Sequence, residues 1–135
     1  MTPEIEALAR RAVACDAFFW MPGMVDGRTN RLCIGKAPGN DGHVFLETYD
    51  CGTKAANRWD AEYRPARQHP DAWPDLSRAG TKGCLLEIVR HAWEDSEACV
   101  FHSADGDWVA FVRGRYRCAK PTELAALVSA LEAAP

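Results

Sequence analysis

The sequence lacks several patterns that would assign a protein class at once. None of its 135 residues lies in an apolar run near the roughly 18 residues of a membrane span. Its net charge of -3 offers no excess of positive charge for duplex nucleic acid or an anionic membrane. Residues 1–6 are acidic and amphipathic, unlike the basic and then apolar start of a signal peptide. We therefore expect a cytoplasmic protein whose partners are neither duplex nucleic acid nor membranes.

Catalytic and metal-binding motifs are also missing. There is no G-x-S-x-G elbow, and the glycine-rich stretch 35–42 lacks the G-K-[ST] ending of a phosphate loop. The six cysteines are scattered without a C-x-x-C pair, which favours buried free thiols over zinc ligands or disulfides. His91 precedes Glu94 and Asp95, but a histidine near the end of a helix is explained by the helix dipole. The sequence thus predicts no catalytic residue, metal ion or cofactor, and favours a protein that is not an enzyme.

The first part of the chain predicts a helix followed by strands. Thr2 is a suitable N-cap for a helix with Pro3 at its first position. Residues 18–20 resemble a short buried strand, and residues 31–36 and 43–48 a hairpin across a glycine-rich loop. The apolar stripe of the helix consists of Ile5, Leu8, Ala9, Ala12 and Val13.

Residues 49–75 lack a clear period and contain three prolines, so we expect a long irregular loop packed on the domain. A helix should begin between residues 77 and 81 and end near 94. Strands are predicted at 98–103 and 107–113, with another extended segment at 114–119 and a last helix from Pro121. The order α-β-ββ-loop-α-ββ-α predicts one α+β domain over residues 1–135. Its antiparallel sheet would have helices packed on it, in the manner of an α-β-α sandwich.

Aromatic and cationic residues form the most suggestive group. Flat rings stack on nucleobases for about 1–3 kcal/mol each, and arginines donate paired hydrogen bonds to phosphate. The same residue types are enriched at protein interfaces. A third explanation is that the rings fold the 49–75 segment onto the domain. The candidate ligand-binding residues are Trp20, Met24, Trp59, Tyr63, Arg64, Arg67, His69 and Trp73.

Several stretches resemble small bacteriophage proteins of the α-β-α sandwich type: WPDLS at 73–77, GCLLEIV at 83–89, DGDWVAF at 105–111 and LAALVSAL at 124–131. ARRAVAC at 9–15 and WMPGM at 20–24 are similar to phage and prophage reading frames without an assigned role. The resemblance covers roughly residues 7–24 and 73–134. It implies a phage accessory protein with a helix–sheet–helix layout, and it carries over no catalytic residue.

Three hypotheses follow. The resemblance and the Trp/Tyr/Arg group favour a host-defence antagonist in the bacterial cytoplasm. Under this hypothesis it sequesters a nucleotide-type signal and forms a homodimer. This hypothesis requires a deep aromatic-walled pocket with at least two arginines. The alternative is an inhibitor or adaptor that binds a host or phage protein through a flat aromatic patch. The third is a phosphodiesterase-like enzyme, which needs a convergent His/Asp/Glu cluster that the sequence does not display.

Overall fold

The computed structural model describes residues 2–36, 42–50, 61–112 and 116–135. Within them the predicted α+β domain is confirmed. No helix in this part of the chain is long and apolar enough to cross a membrane. The elements in chain order are α1 (Pro3–Val13), β1 (Leu32–Lys36), β2 (His43–Asp50), β3 (Ala61–Arg67), α2 (Ala79–Ala92), β4 (Cys99–His102), β5 (Trp108–Val112), β6 (Tyr116–Lys120) and α3 (Glu123–Glu132).

Helices α1 and α2 begin where the sequence predicts, and α3 begins two residues after its predicted start at Pro121. The Thr2 hydroxyl accepts a hydrogen bond from the Ile5 N–H at 3.3 Å, and Pro3 occupies the first turn. In α3 the Thr122 hydroxyl accepts from the Ala125 N–H at 3.1 Å. Each hydroxyl satisfies one of the N–H groups that a helix start leaves without an intrahelical partner.

The strands form two antiparallel three-stranded sheets instead of one, in the orders β1-β2-β3 and β4-β5-β6. The second sheet matches the predicted strands closely. The first differs, because residues 18–20 are not a strand and β3 lies inside the predicted loop. Phe18 and Trp20 pair their rings edge to face at 5.8 Å in irregular backbone. Pro65 obscured β3 in the sequence, although an edge strand tolerates proline.

Helix α3 lies at the centre of the molecule. It packs against all three strands of the second sheet and against both other helices. The Trp93 indole N–H, at the end of α2, donates to the Ala130 carbonyl at 2.8 Å, and the Tyr116 ring stacks on Trp93 at 5.6 Å. The buried residues of α3 are Ala126, Leu127, Val128, Ala130 and Leu131. This helix is therefore apolar almost all round, as a central helix must be.

The first sheet is covered by the segment that precedes it. Cys33 donates its N–H to the Met24 carbonyl at 2.8 Å, and the Gly23 N–H donates to the Cys33 carbonyl at 3.0 Å. The Trp20 ring meets Phe45 of β2 edge to face at 5.2 Å. Residues 18–25 thus pack against the inner face of the first sheet and join it to the common core.

A junction around Asp26 ties the loop at residues 24–30 to the chain before α2. Its carboxylate is only 2% exposed and accepts from the backbone N–H of Arg28 at 3.0 Å and of Trp73 at 3.4 Å. The Thr29 hydroxyl donates to its other oxygen at 2.7 Å. Gly27 donates its N–H to the Trp73 carbonyl at 2.8 Å. We call these residues, Asp26, Gly27, Thr29 and Trp73, the Asp26 junction.

Gly27→Ala tests the junction. A Cβ at this position would lie 1.9 Å from Cζ3 of Trp73, so the buried ring or the loop backbone must move. We expect a loss of about 3 kcal/mol or more in the free energy of unfolding, measured by urea denaturation. Gly83→Ala is the matched control, because a Cβ in this α2 position meets nothing within 4 Å and helix propensity predicts a gain of about 1 kcal/mol. Equal unfolding midpoints in the two variants would contradict the packing described.

Helix α2 ends in a Schellman motif with Glu94 in the left-handed region, at φ 52°. The Glu94 N–H donates to the His91 carbonyl at 3.2 Å and the Asp95 N–H to the Arg90 carbonyl at 2.9 Å. We expect Glu94→Gly to stabilise the protein by about 1 kcal/mol, because glycine carries no Cβ penalty there. Glu94→Ala keeps the Cβ and removes the charge, so its melting temperature separates the two effects. A gain of the same size in the alanine variant would assign the effect to charge instead.

Candidate functional site

The predicted binding residues divide into buried, exposed and undescribed positions. Trp20, Met24 and Trp73 are only 7%, 0% and 7% exposed, and they pack in the core. Trp59 lies outside the described residues, as do the side chains of Tyr63 and Arg64 on β3. Of the described members, Arg67 is exposed and His69 half-buried. The structure therefore does not bring the described part of the group together around one pocket.

Trp73 illustrates why an aromatic residue beside cations can be structural. The Arg10 guanidinium lies 5.7 Å from its ring centroid, in a cation–π contact. Gly27 lies so close to the same ring that a side chain there would clash with it. Trp73 thus packs α1 against the Asp26 junction, which matches the explanation that the rings fold the chain onto the domain.

His69 holds the turn in front of Trp73. Its Nδ1 accepts from the Asp71 N–H at 3.1 Å and lies 3.2 Å from Nη1 of Arg28. The same Arg28 Nη1 makes an ion pair with Asp71 at 3.1 Å. Nδ1 thus uses its lone pair as the acceptor of a backbone hydrogen bond. The described contacts of His69 are therefore structural ones.

An open cleft of about 560 Å³ lies beside the C-terminal half of α2. Its lining contains one guanidinium, that of Arg90, which pairs with Glu87 at 2.6 Å and donates to the Ala98 carbonyl at 2.9 Å. Three carboxylates share this lining, so the cleft repels rather than attracts phosphate. Its lining residues are Phe19, Met21, Glu87, Arg90, His91, Glu94, Asp95 and Ser96.

The side chains that could bind a metal ion are scattered in the described part of the chain. No group of three His, Cys, Asp or Glu side chains there converges closely enough to hold an ion. His102 contacts the Gly106 carbonyl at 3.1 Å and the Trp108 ring at 5.1 Å. Both contacts lie within its own hairpin.

The cysteines are free thiols in the described residues, but the prediction that they are buried holds only for Cys33. Four others are half-buried, and Cys51 lies outside the described residues. Burial raises the pKa of the Cys33 and Cys84 thiols above the ordinary value. Because thiolate is the nucleophilic form, this lowers the reactivity of both thiols at neutral pH.

The second sheet has two different faces. Ala110 and Val112 of β5 belong to the core cluster and Trp108 packs against it, so the intervening Val109 and Phe111 point to the opposite side. The register places further residues of β4 and β6 beside Val109 and Phe111. The outer face of the second sheet consists of Cys99, Phe101, Val109, Phe111, Arg117 and Ala119.

This outer face is mostly apolar and partly open to solvent. Phe101 and Phe111 are each 42% exposed, whereas Val109 between them is only 2% exposed. The first sheet has a smaller feature of the same kind, with Leu32 and Ile34 among the exposed large apolar residues. Clustered apolar side chains are a common feature of surfaces where another molecule binds.

Sequence reasoning missed Phe101 and Phe111, although a signal was present. The residues of β4 and β5, CVFH and WVAFV, are almost continuously apolar. A half-solvated antiparallel strand alternates apolar with polar residues, so a continuous run indicates that both faces are covered. In the described structure only one face of the second sheet is covered.

No family model matches the chain, and no curated protein or solved structure is significantly similar to it. The candidate site therefore depends on its own geometry.

Tyr116 provides a pH-dependent test of the packing under α3. Burial raises the pKa of its hydroxyl to about 12, and the neighbouring Cys118 adds to the effect. Because the unfolded value is near 10, the contribution to stability is complete below pH 10 and is lost between about pH 10 and 12. We expect Tyr116→Phe to weaken this alkaline decline in the free energy of unfolding. The measurements are tyrosinate absorbance and urea unfolding curves over this pH range. An unchanged pH profile in the variant would contradict the expectation.

Proposed function

We propose that this protein is a non-catalytic binding protein that recognises another protein through the outer face of its second sheet. The observation that carries the proposal is the pair of half-exposed rings next to the buried Val109: Phe101, its partner across the strands, and Phe111, two residues further along β5. Aromatic side chains, phenylalanine among them, are enriched at the cores of protein interfaces.

The energetics support a real but modest contribution from these rings. Complete burial of a phenylalanine side chain stabilises by about 1.5–3 kcal/mol, and somewhat less than half of each ring residue is still exposed. Covering both therefore contributes about 2 kcal/mol before any polar contact. This free energy is small, so binding also needs a few further contacts at the rim of the face.

The resemblance to small phage proteins suggests the class of partner, a host or phage protein. An inhibitor or adaptor acts by occupying a surface and needs no catalytic group. Sequestration of a nucleotide-type signal is less supported, because the cleft beside α2 has three carboxylates for its single arginine.

The experiment is a capture assay with the double variant Phe101→Thr/Phe111→Thr. Threonine preserves strand propensity while it removes both rings. Immobilised wild-type protein is exposed to bacterial host lysate, captured proteins are identified by mass spectrometry, and the best one is purified and titrated. We expect the double variant to bind that protein at least about tenfold more weakly.

Phe19→Thr is the matched control, because Phe19 is exposed to a similar extent but lies in the cleft beside α2. It should bind like the wild type. Equal binding by the double variant would overturn the proposed face. A melting-temperature shift with a cyclic nucleotide, with the ligand recovered unchanged, would instead support sequestration.

A further inference from the structure

Two opposite charges lie at opposite ends of the same outer face. Arg117 of β6 is paired in register with Phe111 of β5. Asp107 directly precedes β5 at the hairpin end of the sheet. Strand alternation places the Asp107 side chain on the side of Val109. Both residues are exposed, and neither forms a salt bridge with another described residue. Arg117 is level with Phe111, which lies four residues beyond Asp107 along the strand. The two charges are therefore about 13 Å apart along the strand direction.

This arrangement is complementary to itself. A two-fold axis between two copies, perpendicular to the strands and level with Val109, reverses the strand direction of the second copy. The hairpin end of each copy then lies over the opposite end of the other. Asp107 of each copy therefore approaches Arg117 of the other copy, which gives two such contacts per dimer. Phe101, which pairs with Val109, lies at the axis and meets the same residue of the second copy. An isologous interface requires this kind of self-complementarity.

We infer that a second copy of this chain covers the outer face of the second sheet when no other protein is bound there. The contact would be a two-fold dimer, with Phe101 and Phe111 inside and two Asp107–Arg117 pairs at the rim. The inference rests on the proposed function, since it names what occupies the same face before a partner protein arrives.

The size of the face makes the dimer weak. Three strands of about five residues present roughly 240 Å² to a flat neighbour, given the strand spacing and rise. A stable specific interface buries about 800 Å² on each side. The dimer must therefore exchange readily with monomer, and a partner protein with a larger contact area would displace the second copy.

The test is sedimentation velocity of the purified full chain over a concentration series up to about 1 mM, where a weak complex is populated. We expect the mean mass to rise from monomer towards dimer. Asp107→Arg and Arg117→Asp should each weaken association by about tenfold at low salt, because each creates two like-charge contacts per dimer. The double reversal Asp107→Arg/Arg117→Asp should restore the affinity to within about threefold of the wild type.

Lys120→Asp is the matched control: this residue is on the same strand as Arg117 but alternates to the face of Trp108, and it should leave association unchanged. Asp107→Asn and Arg117→Gln, with smaller effects of about threefold, serve if a reversal variant fails to fold by circular dichroism. A wild-type chain that stays monomeric, or a double reversal no better than the single ones, overturns the inference.

The two proposals fail separately. The sedimentation experiment contains no lysate, so a monomer combined with face-dependent capture removes the dimer and leaves the binding function. A dimer that obeys the charge-reversal pattern, with no face-dependent capture, removes the binding function as proposed and leaves the self-association.

Discussion

The buried carboxylate of Asp26 is the interaction on which much of the fold depends. At 2% exposure it cannot rely on water, so its oxygens need protein donors, which it finds in two backbone N–H groups and the Thr29 hydroxyl. Arg28 and Thr29 supply two of these donors from the loop at residues 24–30 itself. The third, the Trp73 N–H, is supplied only when the chain before α2 lies beside that loop. The contact between Gly27 and the Trp73 ring then fixes their separation. The first sheet and α2 are thereby joined without a strand that crosses between the two sheets.

The division of the strands into two sheets explains why a binding face is available. Two three-stranded sheets have four faces, and each sheet needs one apolar face covered to be stable. Helix α3 covers the inner face of the second sheet, and residues 18–25 cover that of the first. The three helices in the described residues pack into the common core and leave the outer face of the second sheet to solvent. Phe101 and Phe111 on this face are thus not part of the buried core.

Sequence periodicity predicted the elements whose signals are local. The stripe and cap of α1, the hairpin of β4 and β5, and the start of α3 all depend on residues near one another in the chain. The strand at residues 18–20 was wrong because Trp20 is buried by a distant residue, Phe45, and not by a ladder partner. The same ambiguity affected the site: Trp20, Met24 and Trp73 are residue types common to cores and interfaces, and only tertiary contacts separate the two. Composition alone contains no such information.

Burial of Val109 beneath two exposed rings bears on how the outer face would bind. Val109 belongs to the central strand, pairs with Phe101 and Ala119, and is only 2% exposed without any partner. The face is consequently packed before contact, and strands, unlike loops, need little ordering when a second surface arrives. Association at such a face loses less side-chain and backbone entropy than association at a mobile segment. This is why a small apolar area on β4, β5 and β6 can contribute to recognition even though its total burial is modest.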